Sequence, residues 1–217
     1  MLDCNPIPLF PLPIVVFPDQ IVPLHIFEPR YKQMLADVRA ADERGETLPI
    51  GMILGKDREV QGEVGCAMLL AKVLDEFDDG RLNIIVRGAR RFRIARIDEH
   101  KPYLEAWVEY VDDTEEPTDP VLLAKAVAAL EKLVKQLEEV TGAHAEVGSM
   151  QNAFQMAQVT GLDLEIRQQL LEMTTENGRL HALCEYFEQI IPLLEAERKL
   201  HRLASSNGHT GSHREGS

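Results

Sequence analysis

His181 and Glu185 in "HALCE" stand four residues apart, one helical turn, which is a spacing at which two side chains can share a metal ion. No second histidine or carboxylate stands at a matched position, so the pair reads as a solvated imidazole beside a solvated carboxylate. His25 with Glu28, and His144 with Glu146, are isolated in the same way. The stretch "GKDREVQGEVG" (Gly55 to Gly65) has its lysine directly after the first glycine and lacks the order of a phosphate-binding loop. No G-x-S-x-G elbow occurs, and Ser149 is the one serine in a helical region outside the C-terminal tail. Cys4, Cys66 and Cys184 are far apart with no C-x-x-C pair, which fits packing residues in a reducing cytoplasm and offers no zinc framework. The residue types therefore predict no catalytic group, no cofactor and no metal; the chain is expected not to be an enzyme.

The concentrated positive charge lies in "RGARRFRIARI", where Arg87, Arg90, Arg91, Arg93 and Arg96 fall within ten residues. Such a run could hold phosphates, and it is the alternative site considered, for RNA. On a strand, Arg91 and Arg93 share a face opposite Phe92 and Ile94, so the plainer expectation is a solvated face paired with Asp75, Glu76, Asp98 and Glu99. The net charge of −13 supports the plainer one. Residues 1 to 112 hold 14 Lys/Arg against 19 Asp/Glu, and the remainder 9 against 17, so neither half is basic enough to attract a phosphate backbone. Nucleic acid is not an expected partner.

The elements that must position these residues change character along the chain. Up to about Val111 short apolar runs are broken by Gly, Asp and Pro: "LPIGMIL", "AMLLAKVLDEF", "RLNIIVRG", "RFRIARI" and "YLEAWVEYV". The runs predict a mostly antiparallel barrel or sandwich over residues 1–112. Asp78-Asp79-Gly80 predicts a hairpin, and Tyr31, Met34, Leu35 and Val38 predict a helix from Pro29 to Glu43. "DDTEEPTDP" (Asp112 to Pro120) reads as an acidic linker, after which Leu123, Val127, Leu130, Val134 and Leu137 repeat at helical spacing. A helical bundle is expected over 119–204, with Asn177 capping its last helix and Pro192 kinking it, and a disordered tail over 205–217. Leu194, Leu200 and Leu203 are available there for a second copy of the chain, so a homodimer is open. No window approaches the ~20 apolar residues of a membrane span. The start, with Asp3 and Asn5, does not look like an export signal, which points to the cytoplasm.

"LPIVVFPDQIVPLHIFEPRYKQML" (Leu12 to Leu35), "EVGCAMLLAKVLDEFDDGRLNIIVRGARRFRI" (Glu63 to Ile94) and the helical half together resemble the N-terminal, substrate-binding domain of the ATP-dependent Lon proteases. The pieces that carry the resemblance are Phe17-Pro18 with Val22-Pro23-Leu24, then Glu63-Val64-Gly65, and the run from Gly80 to Gly88, whose last glycine is expected to allow a bend before the next strand. The family's ATPase and Ser/Lys peptidase modules are not in this sequence, so it looks like a free-standing member. The resemblance implies an α+β fold, a PUA-like β domain followed by a helical bundle, and a non-catalytic module that recognises unfolded or exposed protein segments. A partner ATPase or protease would fit that role. The peptide-binding residues expected are Phe17, Phe27, Tyr31 and Met34, as an apolar groove beside the sheet edge, with Pro11, Pro13, Pro18 and Pro23 at edge strands and corners and Arg30 fastened to Glu28.

Overall fold

The punctuated apolar runs become strands and the 3.6-residue periodicities become helices. The structure, a computed structural model, describes residues 6–141 and 147–207; Cys4, the His144–Glu146 pair and the tail beyond residue 207 lie outside the described residues. In chain order the elements are β1 (Ile7–Leu12), β2 (Ile21–Ile26), α1 (Pro29–Glu43), β3 (Ile50–Lys56), β4 (Glu59–Val60), β5 (Val64–Glu76), β6 (Leu82–Asp98) and β7 (Leu104–Val111), then α2 (Pro120–Thr141), α3 (Ala153–Val159), α4 (Leu164–Glu172) and α5 (Glu176–Asn207). The class is α+β with a mostly antiparallel sheet, as the sequence implies. The pairings β1–β7, β7–β6, β6–β5, β5–β3 and β3–β1 return to their start, with β1–β3 parallel. The ring is not a plain barrel, because β2 pairs with the first half of β6 and β4 extends β3.

Prolines fit this arrangement through stagger. Pro8 lies where β1 is in register with β7, opposite Glu105, and Pro11 lies where it has passed to β3, opposite Ile53. Each proline therefore has an open side on which its missing N–H costs no ladder bond. Pro23 is on β2, which is paired through β6. The hairpin falls where Asp78-Asp79-Gly80 places it: Gly80 has φ +75°, and Phe77 N–H donates to Arg81 O at 2.9 Å.

The runs expected as two strands, Arg81–Gly88 and Arg91–Ile97, are one continuous β6, and Gly88 stands at a register shift against β5, where Ala89 is the extra residue. The role of Gly88 is close approach. Asp19 N–H donates to Gly88 O at 3.0 Å and Gly88 N–H to Gln20 O at 2.9 Å, and a Cβ at residue 88 would lie 2.1 Å from Phe17 O. Only glycine lets the Phe17–Gln20 turn lie directly on β6.

Strand alternation divides the buried side chains into two clusters. One holds Phe10, Ile50, Met52, Cys66, Met68, Ile84 and Val86 together with Tyr31, Met34, Leu35 and Val38 of α1. The other holds Ile7, Leu9, Ile53, Ala67, Phe92, Leu104, Ala106 and Val108. Burial pushes the Cys66 thiol up to about 12, so it packs as an inert apolar group. A polar network locks α1 to the loop before β7. Tyr103, itself buried, donates its hydroxyl to Asp37; Lys101 Nζ donates to Asp37 Oδ2 at 3.0 Å and Tyr103 Oη at 2.9 Å; Gln33 donates to Asp37 Oδ1 at 2.8 Å.

The described chain forms two compact units. One contains everything up to Glu116 together with Gly161–Glu176; the other contains Pro117–Thr160 and Asn177 onward. Helix α4 therefore belongs with the sheet. Arg91, 4% exposed, reaches it from β6: its guanidinium donates to Leu171 O at 2.9 Å, to Met173 O, and to the carboxylate of Asp113. Arg167 of α4 donates to Val15 O at 2.8 Å and lies 4.5 Å over the Phe17 ring, and Gln168 donates to Val64 O at 3.0 Å. In the second unit α2 and α5 run in parallel, tied by Lys125–Glu188 at 2.8 Å and Lys132–Glu195 at 3.3 Å. Asp119 caps α2 by accepting from Val121 N–H at 2.8 Å. The expected α2 stripe is rotated by about one residue: Leu122, Ala126, Leu130, Leu133 and Val134 are buried, while Leu123, Val127 and Leu137 are half-buried. Asn177 does not cap α5, which begins at Glu176; it accepts from Asp119 N–H at 2.8 Å and donates to Pro117 O at 3.0 Å. Helix α5 runs through Pro192 to Asn207.

Two outcomes follow for stability. Burial alone would raise the Asp37 carboxyl, but the donors Tyr103, Lys101 and Gln33 outweigh it and hold Asp37 below the usual range. Burial and the bond to Asp37 raise the Tyr103 hydroxyl; Lys101, opposed by burial, is raised by its bonds to Tyr103, Asp37 and Glu105. The share from Asp37 is present above its unfolded pKa and lost as pH falls through the lowered folded one, and the shares from Tyr103 and Lys101 are lost as pH rises through their raised folded values. The network is thus complete between about pH 4 and about pH 10. Thermal melts should show Tyr103→Phe costing about 1 kcal/mol near neutrality, and Asp37→Asn should flatten the fall in melting temperature at acid pH. Arg91→Met should cost about 3 kcal/mol, the scale of removing one partner from a buried pair. Amide exchange should then accelerate first in α4, with Arg91→Lys restoring part of the loss.

Candidate functional site

The groove expected from Phe17, Phe27, Tyr31 and Met34 is not open. Phe17 is fully buried beneath the Arg167 guanidinium, and Met34 is fully buried on the inner side of α1. Tyr31, 4% exposed, packs against Phe10 with ring centroids 4.2 Å apart and planes tilted by 47°, and is covered by Arg30 at 4.6 Å. Sequence pattern had marked these side chains as apolar, and they are apolar because they are core. Arg30 does pair with Glu28, at 2.8 Å. Phe27 alone of the four is open, 58% exposed.

Phe27 stands at one end of a surface with neighbours the sequence reading did not name. Strand β2 alternates: Ile26 is buried and Val22 and Leu24 pack on the α1-side cluster, whereas Ile21, Pro23 and His25 face outward. Ile21 is 56% exposed, and the six steps from Ile21 to Phe27 span about 20 Å at strand rise. Across β6, His25 is in register with Asn83, and Asn83 with Asp75 of β5. The β5–β6 register shifts between Val73 and Asp75, and the extra residue, Leu74, is 48% exposed. Phe77, at the start of the hairpin, is 39% exposed, and its ring lies edge-on to His25 with centroids 6.3 Å apart. His25 stacks on Phe27 at 5.9 Å. Ile21, His25, Phe27, Leu74 and Phe77 thus form an outward apolar face on the β2–β6–β5 ribbon. Paired charges rim it: Arg81–Asp79 at 2.7 Å, Arg39–Glu76 at 3.2 Å and Arg87–Asp19 at 3.3 Å. Exposed apolar side chains rimmed by polar pairs are the anatomy of a protein-contact surface. The signal available in the sequence was the break in alternation at "VLDEF", which marks the bulge.

The arginine run is not one solvated face. Arg91 is the buried clamp on α4, and the acids used by the others are not the ones expected. Arg87 pairs with Asp19, Arg90 with Asp112 at 3.1 Å and Arg93 with Glu63 at 2.8 Å, while Arg96 lies 5.3 Å over Trp107. Asp19, Asp112 and Glu63 are distant in sequence and come beside β6 through the fold. A cavity of ≈ 570 Å³ opens near the end of α1, but its charged lining, Arg44 with Glu46 and Lys101 with Glu105, is already paired. Among the described residues no group of three or more His, Cys, Asp or Glu could hold a metal, and no helix is long and apolar enough to cross a membrane. On α5, Leu200 is exposed and Leu194 half-buried, Leu193 is exposed in addition, and the Leu203 side chain is outside the described residues.

Residues 6–189 match the family model of the ATP-dependent protease La (LON) substrate-binding domain. The chain belongs to this Lon substrate-binding family. It is 24% identical to Lon protease 1 of Hydrogenovibrio crunogenus over 207 residues, 86% of this chain and 24% of that one. It is 25% identical to Lon protease of Escherichia coli K12, over 89% of this chain and 26% of that one. The chain thus spans about a quarter of the length of these Lon relatives. The Lon N-terminal domain protein from Xanthomonas campestris shares its fold with a TM-score of 0.61 at 25% identity, covering 84% of this chain and 98% of that one. The N-terminal domain of Mycobacterium avium complex Lon protease does so at 0.62 and 18% identity, covering 85% and 99%.

The paired arginines give a direct expectation. Passed over immobilised poly(U) at low ionic strength, where phosphate binding is strongest, the protein should elute unretained; retention lost in Arg90→Ala and Arg93→Ala would show that the pairs open.

Proposed function

We propose that the chain is a non-catalytic module that holds unfolded or exposed segments of other polypeptides on the outward β2–β6–β5 face. The observation that carries this is the cluster of Ile21, Phe27, Leu74 and Phe77, large apolar side chains left in water within a family defined by substrate binding. Phe27 and Phe77 flank the same imidazole, His25, so the exposed rings lie close together on one face. A face of this kind contacts any segment rich in apolar side chains, with little sequence preference, which suits recognition of the unfolded state.

Strand addition along the free side of β2 fits less well. A proline is tolerated in a paired strand when its nitrogen points to the open side, so Pro23 leaves a gap in the donors along that edge. Contact by the face, through side chains, is the better-supported mode. Hand-over to a separate ATPase or protease would complete the role, and the reduced, buried Cys66 and Cys184 accord with a cytoplasmic setting. Exposed Leu193 and Leu200, seven residues apart on α5, leave room for a second copy of the chain.

Fluorescence anisotropy with labelled, reduced and carboxymethylated α-lactalbumin, which stays unfolded, tests the reading. Phe27→Ser and Leu74→Asp should each weaken binding about tenfold, the scale of one lost apolar contact; unchanged affinity in both would overturn the assignment of this face. Incubation with casein, with and without ATP, should leave casein intact.

A further inference from the structure

A polar row crosses the middle of the outward face: the His25 imidazole of β2, held by Asn83 of β6 and through it by Asp75 of β5. His25 Nδ1 lies 2.7 Å from Asn83 Oδ1, and Asn83 Nδ2 donates to Asp75 Oδ2 at 2.8 Å. The polarity of this chain is fixed from its far end. A carboxylate only accepts, so the amide must present its NH₂ to Asp75 and its carbonyl oxygen to His25. A carbonyl oxygen only accepts as well, so Nδ1 must carry the proton. The remaining atom, Nε2, has no hydrogen bond among the described residues, and the ring is exposed between Phe27 and Phe77. A neutral His25 therefore offers a lone pair, fixed in direction, between the exposed Phe27 and Phe77 rings.

We propose that His25 anchors the bound segment by accepting a main-chain N–H at Nε2, with the segment's neighbouring apolar side chains lying on Phe27 and Phe77. The occupant is an extended stretch of another polypeptide. Every residue but proline presents a main-chain N–H whatever its side chain, so an acceptor flanked by two aromatic rings orients a segment without selecting its sequence. An N–H brought onto this face leaves water, and an acceptor waiting there removes the cost of burying it unpaired. Asn83 and Asp75 are positioning residues: they set the tautomer and the ring plane and do not touch the segment. The inference rests on the reading of this face as the segment-binding surface.

Nitrogen-15 NMR of histidine-labelled full-length protein, at mildly alkaline pH, reads the tautomer in the free state. The expected spectrum has Nδ1 of His25 in the protonated, pyrrole-like range and Nε2 in the unprotonated range. Asn83→Leu, with its fold verified by melting, should release that preference; an Nε2–H tautomer in the unaltered protein would overturn the proposal. On adding carboxymethylated α-lactalbumin, the Nε2 resonance should move as it accepts a proton donor. His25→Phe, which keeps a ring between Phe27 and Phe77, should weaken binding about fivefold, the scale of one hydrogen bond. If Phe27→Ser and Leu74→Asp weaken binding while His25→Phe does not and Nε2 is unmoved, the anchoring role fails and the surface stands. If neither Phe27→Ser nor Leu74→Asp has any effect, the surface itself is misassigned, and the anchor with it.

Discussion

The docking of α4 on the sheet depends on the buried guanidinium of Arg91. It sits on β6, the strand that pairs with β2, β5 and β7, and it satisfies the last carbonyls of α4 and the carboxylate of Asp113, at the point where the chain leaves the sheet. The end of a helix leaves carbonyls without partners, and a buried cation needs acceptors; each requirement is met by the other. Arg167 and Gln168 repeat the device from α4, donating to Val15 O and Val64 O. A helix separated from the sheet by the whole of α2 and α3 in sequence is thereby part of it. The Thr114 N–H bond to Thr174 O, at 2.8 Å, joins the same two segments through the main chain.

That docking decides what the β unit can present to water. With α4 lying over Phe17 and α1 over the other side of Phe10, the apolar side chains of the proline-rich opening are covered, and function has to come from faces that neither helix reaches. The first half of β6 with β2 and the end of β5 is such a face. Its apolar side chains remain outward for local reasons: β2 is short and alternates, the bulge turns Leu74 out, and the hairpin holds Phe77 beside Arg81, whose guanidinium lies 5.1 Å from its ring. None of these depends on a partner being present.

The same contrast explains how much could be read from the sequence. Elements set by local chemistry were legible: α1 from the spacing of Tyr31, Met34, Leu35 and Val38, the hairpin from Asp78-Asp79-Gly80, the start of α2 from Asp119. Features set by contacts between distant segments were not. Gly88 could be read as a place for the strand to change course, but not as the platform for the Phe17–Gln20 turn, because the neighbour that requires glycine is some seventy residues away in the chain. Arg91 looked like one of five solvated arginines, and only the fold shows which of them meets α4. Phe17, Tyr31 and Met34 share apolar character with Phe27, and residue type alone does not say which side of a strand or helix is covered.

The candidate face also needs the two properties to coexist. A surface that accepts many segments must be tolerant in its side-chain contacts, yet it must not rearrange into them, or each binding event would draw on the stability of the fold. Here the tolerant part is a handful of exposed apolar groups, and the rigid part lies directly beneath: Val22, Leu24 and Ile26 on the reverse of β2, and Ile84 and Val86 on the reverse of β6, pack on the α1-side cluster. Because successive residues of a strand alternate between the two sides, each outward contact is held by a neighbour one residue away that cannot move without opening the core. The loose surface is possible because the strands that carry it are fixed from behind.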